Sequence, residues 1–263
     1  MEEMSVAARL SDASGDGHAA VQITGLGFRY PGRPAPLITG LSLTIGVGER
    51  FGLFGPNGAG KTTLMNLMTG LLSAGEGDIR LFGRQVGKDS SVRALFGFVP
   101  QDFSFYSELS PVQNLEFFGA WAGLSRRRTA QRTTELLEIL GLTDVRHQRA
   151  DQFSGGMKRR LNLAIGVIHQ PRILFLDEPT VGVDVQTGYA IIRYLKELNA
   201  QGTTLIYTSH QLSEAEGLCE KIALIDQGVI ISGGDLSALL KASGSSDLEG
   251  LFLQLTGKAY RDV

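Results

Sequence analysis

Nine consecutive residues, Gly55-Pro56-Asn57-Gly58-Ala59-Gly60-Lys61-Thr62-Thr63, have the types and spacing needed to hold a chain of phosphates. They fit G-x-x-x-x-G-K-[ST]. Glycines let a backbone curl until successive N–H groups converge on one concavity, a nest for phosphate oxygens. Such a loop places Lys61 to reach the β- and γ-phosphates and the Thr62 hydroxyl to ligand Mg²⁺. A second group of chemical residues closes the run Ile173-Leu174-Phe175-Leu176-Asp177-Glu178-Pro179-Thr180. Carboxylates at the carboxyl end of a buried strand sit where open α/β sheets bind ligands. Asp177 is placed to hold Mg²⁺ directly or through water, and Glu178 to orient and deprotonate an attacking water. Phe153-Ser154-Gly155-Gly156-Met157 opens a helix with a second glycine-rich anion cradle, Ser154 to Gly156.

The surrounding pattern supplies the elements that must position these groups. Arg50 to Phe54 reads as a short buried strand before the loop, and Leu64, Leu67, Met68 and Leu71 form a helical stripe after it. Upstream, Val21 to Tyr30 and Leu37 to Val47 read as strands parted by Pro31-Gly32-Arg33-Pro34. Gly77 to Gly83 and Leu95 to Pro100 are two further strands. Ser110-Pro111-Val112-Gln113 is a capping box with Pro at the first helical position, so a helix is expected to about Gly123. Thr129 to Leu140 is another, with Gly141 at its end. Arg126-Arg127-Arg128 reads as a solvated helix entry. Beyond Ser154, Leu161, Ala164, Ile165 and Ile168 share one helical face before Pro171.

A buried strand (Ile173 to Leu176), a helix (about Gln186 to Asn199) and a strand (Thr203 to Ser209) follow. Ser213-Glu214-Ala215-Glu216 reads as a capping box, Asp226-Gln227-Gly228 as a hairpin turn, and Asp235 as a helix cap. Leu248, Leu251, Phe252 and Leu255 give a final apolar stripe. Strand–helix alternation at both ends argues a mainly parallel sheet, with the central helices as an inserted lobe.

The chain has 263 residues, 43% of them hydrophobic, with a net charge of −2, so it can bury a core and carries no basic field for nucleic acid. Its single cysteine, Cys219, excludes an internal disulfide and a cysteine-rich zinc site, and fits a reducing cytoplasm. No apolar run nears the ~20 residues that span a bilayer. Residues 1–20 have no apolar core of a secretory signal and are expected to be a mobile tail. His18, His147 and His169 read as structural or surface residues.

The order of the three motifs resembles the nucleotide-binding subunits of ATP-binding-cassette (ABC) transporters, across roughly Val21 to Leu255. In that family GPNGAGKTT is the Walker A loop, SGG belongs to the signature and FLDEP is Walker B. The resemblance implies an α/β P-loop NTPase (RecA-like) core with an antiparallel β subdomain and an inserted helical subdomain of about residues 102–165. One domain would span 21–257, with residues 258–263 as a tail. The resemblance further assigns Gln101 to a loop touching Mg²⁺ or water, Val181-Gly182-Val183-Asp184 to the segment crossing between subunits, His210 to a γ-phosphate switch, and Tyr30 to adenine stacking. The implied ligands are ATP and Mg²⁺. The implied partners are a second ATPase subunit, identical or closely related, that covers ATP with its own Ser154–Gly156 region, and an integral membrane permease holding the chain to the inner face of the membrane. No nucleic-acid partner is implied.

One departure is informative: FSGGM, then Lys158-Arg159-Arg160, replaces the common LSGGQ, and Met157 lacks the amide that Gln would offer. This form resembles the ABC-2 branch that exports drugs, antibiotics, lipids or polysaccharides, closest to linearmycin-type resistance ATPases. Phe103, Phe105 and Tyr106 are then expected to be an exposed apolar patch that takes a helix of the membrane partner. A second reading is a soluble cassette ATPase acting on ribosomes, DNA or cluster assembly; a third is a regulatory ATP-binding protein without turnover. A single cassette and a compact lobe, not a long coiled coil, between the first two motifs weigh against the second. Intact Lys61, Asp177, Glu178 and His210 weigh against the third.

Overall fold

The computed structural model describes residues 19–209 and 212–257. Two sheets organise them. Strands β1 (Ala19–Phe28), β2 (Ile38–Gly46), β4 (Glu76–Leu81) and β5 (Arg84–Gln85) form an antiparallel sheet in the order β2-β1-β4-β5. Strands β3 (Arg50–Phe54), β6 (Phe96–Val99), β7 (Ile173–Asp177), β8 (Thr204–Thr208), β9 (Lys221–Asp226) and β10 (Val229–Asp235) form the second, in the order β10-β9-β3-β8-β7-β6. It is parallel except for β10, which pairs antiparallel with β9. The register places Asp177 beside Thr208 at the carboxyl ends of β7 and β8.

The reason β7 reads as an unbroken apolar run is visible in its surroundings. Ile173 and Phe175 point into one apolar core with α1 (Lys61–Met68) and the antiparallel sheet. Leu174 and Leu176 point into a second, with helices α2 (Pro111–Trp121), α3 (Arg126–Ile139), α4 (Gly155–Val167) and α5 (Val185–Ala200). A parallel strand covered on both faces has no polar side to show. Phe175 is fully buried, so truncation to Ala is expected to cost about 3–5 kcal/mol. Helices α6 (Leu212–Leu218), α7 (Leu236–Ser243) and α8 (Leu248–Thr256) complete the fold, and Leu248, Leu251 and Phe252 of α8 join the second core.

Local signals explain most element ends. Ser110 accepts from the Gln113 amide while Gln113 reaches back to the Ser110 amide, so the capping box is present. Gly141 follows α3 at φ 61°, with Leu142 N donating to Leu137 O. Gln227 and Gly228 both take positive φ in the β9–β10 hairpin, as a tight right-twisting turn requires.

Several expectations need correction. Leu71, placed in the stripe of α1, lies beyond its end at Met68 and is 65% exposed. The supposed tail gives up Ala19 and Ala20 to β1: Ala19 pairs with Gly46, and Ala20, fully buried, accepts from Phe82 N. Tyr30 lies beyond the end of β1, its carbonyl closing a turn with Arg33 N. Helix α3 starts at Arg126 instead of Thr129, because Ser125 caps it through Arg128 N. Ser213 does not cap α6 but sits inside it. The two acids of that supposed box are taken by tertiary partners: Glu214 by Thr180 and Tyr207, and Glu216 by Leu248 N.

Candidate nucleotide site

Polar side chains are rarely buried without a reason. Here Lys61, Thr63, Asp177, Glu178, Thr180, Thr208 and Ser209 are all buried, and all stand at or just past the carboxyl ends of β3, β7 and β8. That edge is where open α/β sheets take ligands.

The phosphate loop leaves β3 at Gly55, where an added Cβ would lie 1.9 Å from the Ile225 carbonyl oxygen, so only glycine fits. Gly58 and Gly60 curl the loop at φ 79° and 108°. The hairpin turn braces it from behind, Gly228 N donating to Ala59 O at 2.9 Å. Lys61 opens α1 at only 6% exposure. An ammonium taken out of water costs several kcal/mol unless paired. Lys61 Nζ donates to Gly55 O (2.6 Å) and Pro56 O (3.1 Å), carbonyls of the loop itself. Thr62 beside it is exposed. Thr63 is tied to Tyr30 by a 3.0 Å hydroxyl–hydroxyl contact. The Tyr30 ring packs T-shaped against Phe28 and remains 38% exposed beside the loop.

Asp177 ends β7 and is 1% exposed; its Oδ1 accepts from Thr208 Oγ1 at 2.6 Å. Glu178 then turns sharply at φ 53°, a left-handed conformation that a non-glycine residue rarely adopts. Its N–H is held by the Thr208 carbonyl and hydroxyl oxygens, both at 3.2 Å. Gln101, just beyond β6, donates from Nε2 to Glu178 Oε2 at 2.9 Å. Two expected site residues from strands adjacent in the sheet thus meet, although they lie far apart in the chain.

Ser154 caps α4, its hydroxyl accepting from Met157 N. Ser154 and Gly155 are exposed. A Cβ on Gly155 would lie 3.4 Å from Gly182 O, and one on Gly156 3.3 Å from Thr187 Oγ1. The glycine cradle therefore packs beside the Val181–Asp184 segment of its own chain and opens outward. Asp184 caps α5, and its hydrogen bonds from Thr187 N (2.9 Å) and Oγ1 (2.7 Å) hold its carboxyl below the usual range. His210 lies outside the described residues.

Thr208, Glu214 and Arg159 are polar residues of this region that sequence reasoning missed. Thr208 looks like one more residue of a β run. Glu214 resembles a cap, and Arg159 is one of three basic residues at the start of a helix. Cys219 is buried, which pushes its thiol pKa up and leaves it inert.

The model of the family described as "ABC transporter" matches residues 38–181. The chain belongs to the ABC transporter family. It is similar to the linearmycin resistance ATP-binding protein LnrL of Bacillus subtilis (strain 168), with 40% identity over 85% of this chain and 72% of that protein. It is 38% identical to the Nod factor export ATP-binding protein I of Paraburkholderia xenovorans (strain LB400), over 82% of this chain and 71% of the relative. A solved dimer of an ATP-binding cassette in a post-hydrolysis state, bound to ADP and Pi, superposes at a TM-score of 0.76. It shares 25% identity and covers 82% of this chain and 98% of its own.

This ABC protein carries the expected P-loop core, antiparallel sheet and helical lobe. Among its described residues no helix is long and apolar enough to cross a membrane. On the lobe's outer surface Phe103 and Tyr106 are each 42% exposed, as expected. Phe105 departs from expectation by packing against the second core. Phe117 of α2, 4.9 Å from Tyr106 between ring centroids and 45% exposed, joins the outer surface instead.

Proposed function

We propose that the residues gathered at the carboxyl edge of the parallel sheet bind and hydrolyse Mg·ATP, and that the chain is the ATPase subunit of an ABC-2 type exporter. The observation that carries the reading is the buried polar cluster of Lys61, Asp177, Glu178 and Thr208, with Gln101 hydrogen-bonded to Glu178. Lys61 exchanges its two loop carbonyls for phosphate oxygens, and the loop N–H groups and the start of α1 add to the positive field. Tyr30 offers a ring face to the base.

The donor set fits Mg²⁺. Among the described residues no group of three acidic, His or Cys side chains gathers, and Mg²⁺ uses one or two carboxylates plus substrate phosphates instead of an all-protein cage. Thr62 and Asp177 would hold it, with Gln101 nearby, and when bound it neutralises charge on the β- and γ-phosphate oxygens. Glu178 takes the proton of the attacking water, its carboxylate aimed by Gln101 and its backbone by Thr208. His210 serves as the γ-phosphate contact.

Ser154, Gly155 and Gly156 face away as a cradle for the nucleotide of a second copy or a close relative. Such assembly is supported by the dimeric cassette to which the chain is similar. The aromatic surface of Phe103, Tyr106 and Phe117 receives the permease and holds the subunit peripherally at the cytoplasmic face of the membrane. The relatives' names, one of resistance and one of export, support efflux of a drug, antibiotic, lipid or polysaccharide over a soluble cassette role.

Glu178→Gln provides the test. It is expected to keep ATP affinity, trap a dimer and lower turnover at least ~100-fold, the scale of losing a general base. ATPase rates and size-exclusion chromatography with ATP check this, and wild-type turnover in the variant overturns the assignment.

A further inference from the structure

Arg159 lies one turn into α4, past the glycine cradle, and is 4% exposed. Nη1 donates to the backbone carbonyl of Gln101 at 2.7 Å, and Nη2 to that of Val181 at 3.3 Å. Its guanidinium carbon lies 4.8 Å from the Phe103 ring centroid, and the Glu178 and Asp102 carboxylates attract its charge. Nε is buried without a hydrogen-bond partner. A cation buried this deeply is costly, and its volume could be filled by an apolar side chain at little or no loss of stability. The contacts it makes explain its presence better than packing does.

Those contacts bracket Glu178. On one side, Gln101 is gripped at its carbonyl by Arg159 while its own amide holds the Glu178 carboxylate. On the other, Val181, whose N–H closes the turn onto Glu178 O, is gripped at its carbonyl by the same guanidinium. One turn along α4, Asn162 fixes the rest of the Gln101 segment, donating to Pro100 O and accepting from Ser104 N. Arg159 acts through these neighbours, gripping the backbone on either side of Glu178.

We propose that Arg159 is a positioning residue for the hydrolytic step: its planar fork ties the Gln101 and Val181 segments into one frame that aims the Glu178 carboxylate. The inference rests on the reading of Glu178 as the base. A planar fork reaches two carbonyls at once, which the point charge of Lys cannot do as well.

The test uses the full chain and three variants, Arg159→Met, Arg159→Lys and Glu178→Gln, with rates normalised to bound nucleotide and melting temperatures recorded. Arg159→Met is expected to lower kcat about 10–100-fold, the scale of a misplaced catalytic group, with KM for ATP within about twofold and the melting temperature unchanged or raised. Arg159→Lys is expected to recover part of that loss. If Arg159→Met fails to fold, Arg159→Lys alone decides, its kcat falling short of wild type at unchanged KM. Wild-type kcat in every folded Arg159 variant, or a loss confined to KM, overturns the proposal. If Glu178→Gln itself turns over normally, the underlying reading fails instead, and the two failures are thereby told apart.

Discussion

The two glycine-rich cradles of this chain use the same device, backbone amides at a helix start, and sit in opposite surroundings. At the first, Lys61 is buried and donates to its own loop's carbonyls, the hairpin turn braces Ala59, and Asp177 is satisfied by Thr208. At the second, Ser154 and Gly155 are exposed, and the neighbours of Gly155 and Gly156 are Gly182, Thr187 and Asp184. The first is a formed site; the second is an outward face. The difference teaches that the same device is enclosed by its own chain at one place and left exposed at the other, as the proposed two-copy site requires.

The sharpest way to break that comparison is to inactivate each cradle in a different copy. Lys61→Ala is expected to abolish ATP binding and turnover. Gly156→Asp, which forces a side chain and a charge toward Thr187 and Asp184, is expected to keep ATP affinity in the isolated chain and lose turnover. Mixing the two inactive variants should restore measurable ATPase activity, because one composite site then has both halves intact. No recovery on mixing would mean that the cradles do not meet across a dimer.

A smaller effect separates the parts of the formed site. Tyr30→Ala is expected to weaken ATP binding about tenfold, as loss of a base–aromatic stack does. Tyr30→Phe, which loses only the hydroxyl contact to Thr63, should retain most of the affinity. Titration calorimetry distinguishes them, and equal losses would place the weight on the hydroxyl instead of the ring.

The smallest effect concerns two helix caps. Asp247 caps α8 through Gly250 N, and Asp184 caps α5 beside the outward cradle. Hydrogen bonding lowers both carboxyl pKa values. A folded-state pKa below the unfolded one gives stability that is full above about pH 4 and is lost as pH falls through the folded value. Replacing either Asp by Ala should lower the melting temperature at neutral pH, by a margin that narrows on acidification. Only Asp184→Ala should also lower ATPase activity; equal activity in the two variants would detach the Val181–Asp184 segment from the site.

Much of the fold was legible because local chemistry and tertiary demand agreed. The run from Ile173 to Leu176 is apolar because both sheet faces are covered, and Ser110 with Gln113 satisfy orphan amides wherever a helix begins. Where a side chain is taken by a distant partner, the local reading failed. Glu214 and Glu216 match a capping box in spacing, but Thr180, Tyr207 and Leu248 claim them. Phe105 turns inward and Phe117 takes its place on the surface, a choice no spacing records.

The amino-acid order by itself determined the phosphate loop, the paired acids and the second cradle, because glycine conformation, carboxylate chemistry and helix starts are properties of a few adjacent residues. Only the tertiary structure decided that Gln101 meets Glu178, that Thr208 satisfies Asp177, and that Arg159 spans the two segments around Glu178. Those pairings join residues distant in the chain, and they exist because parallel strands bring their carboxyl ends to one edge.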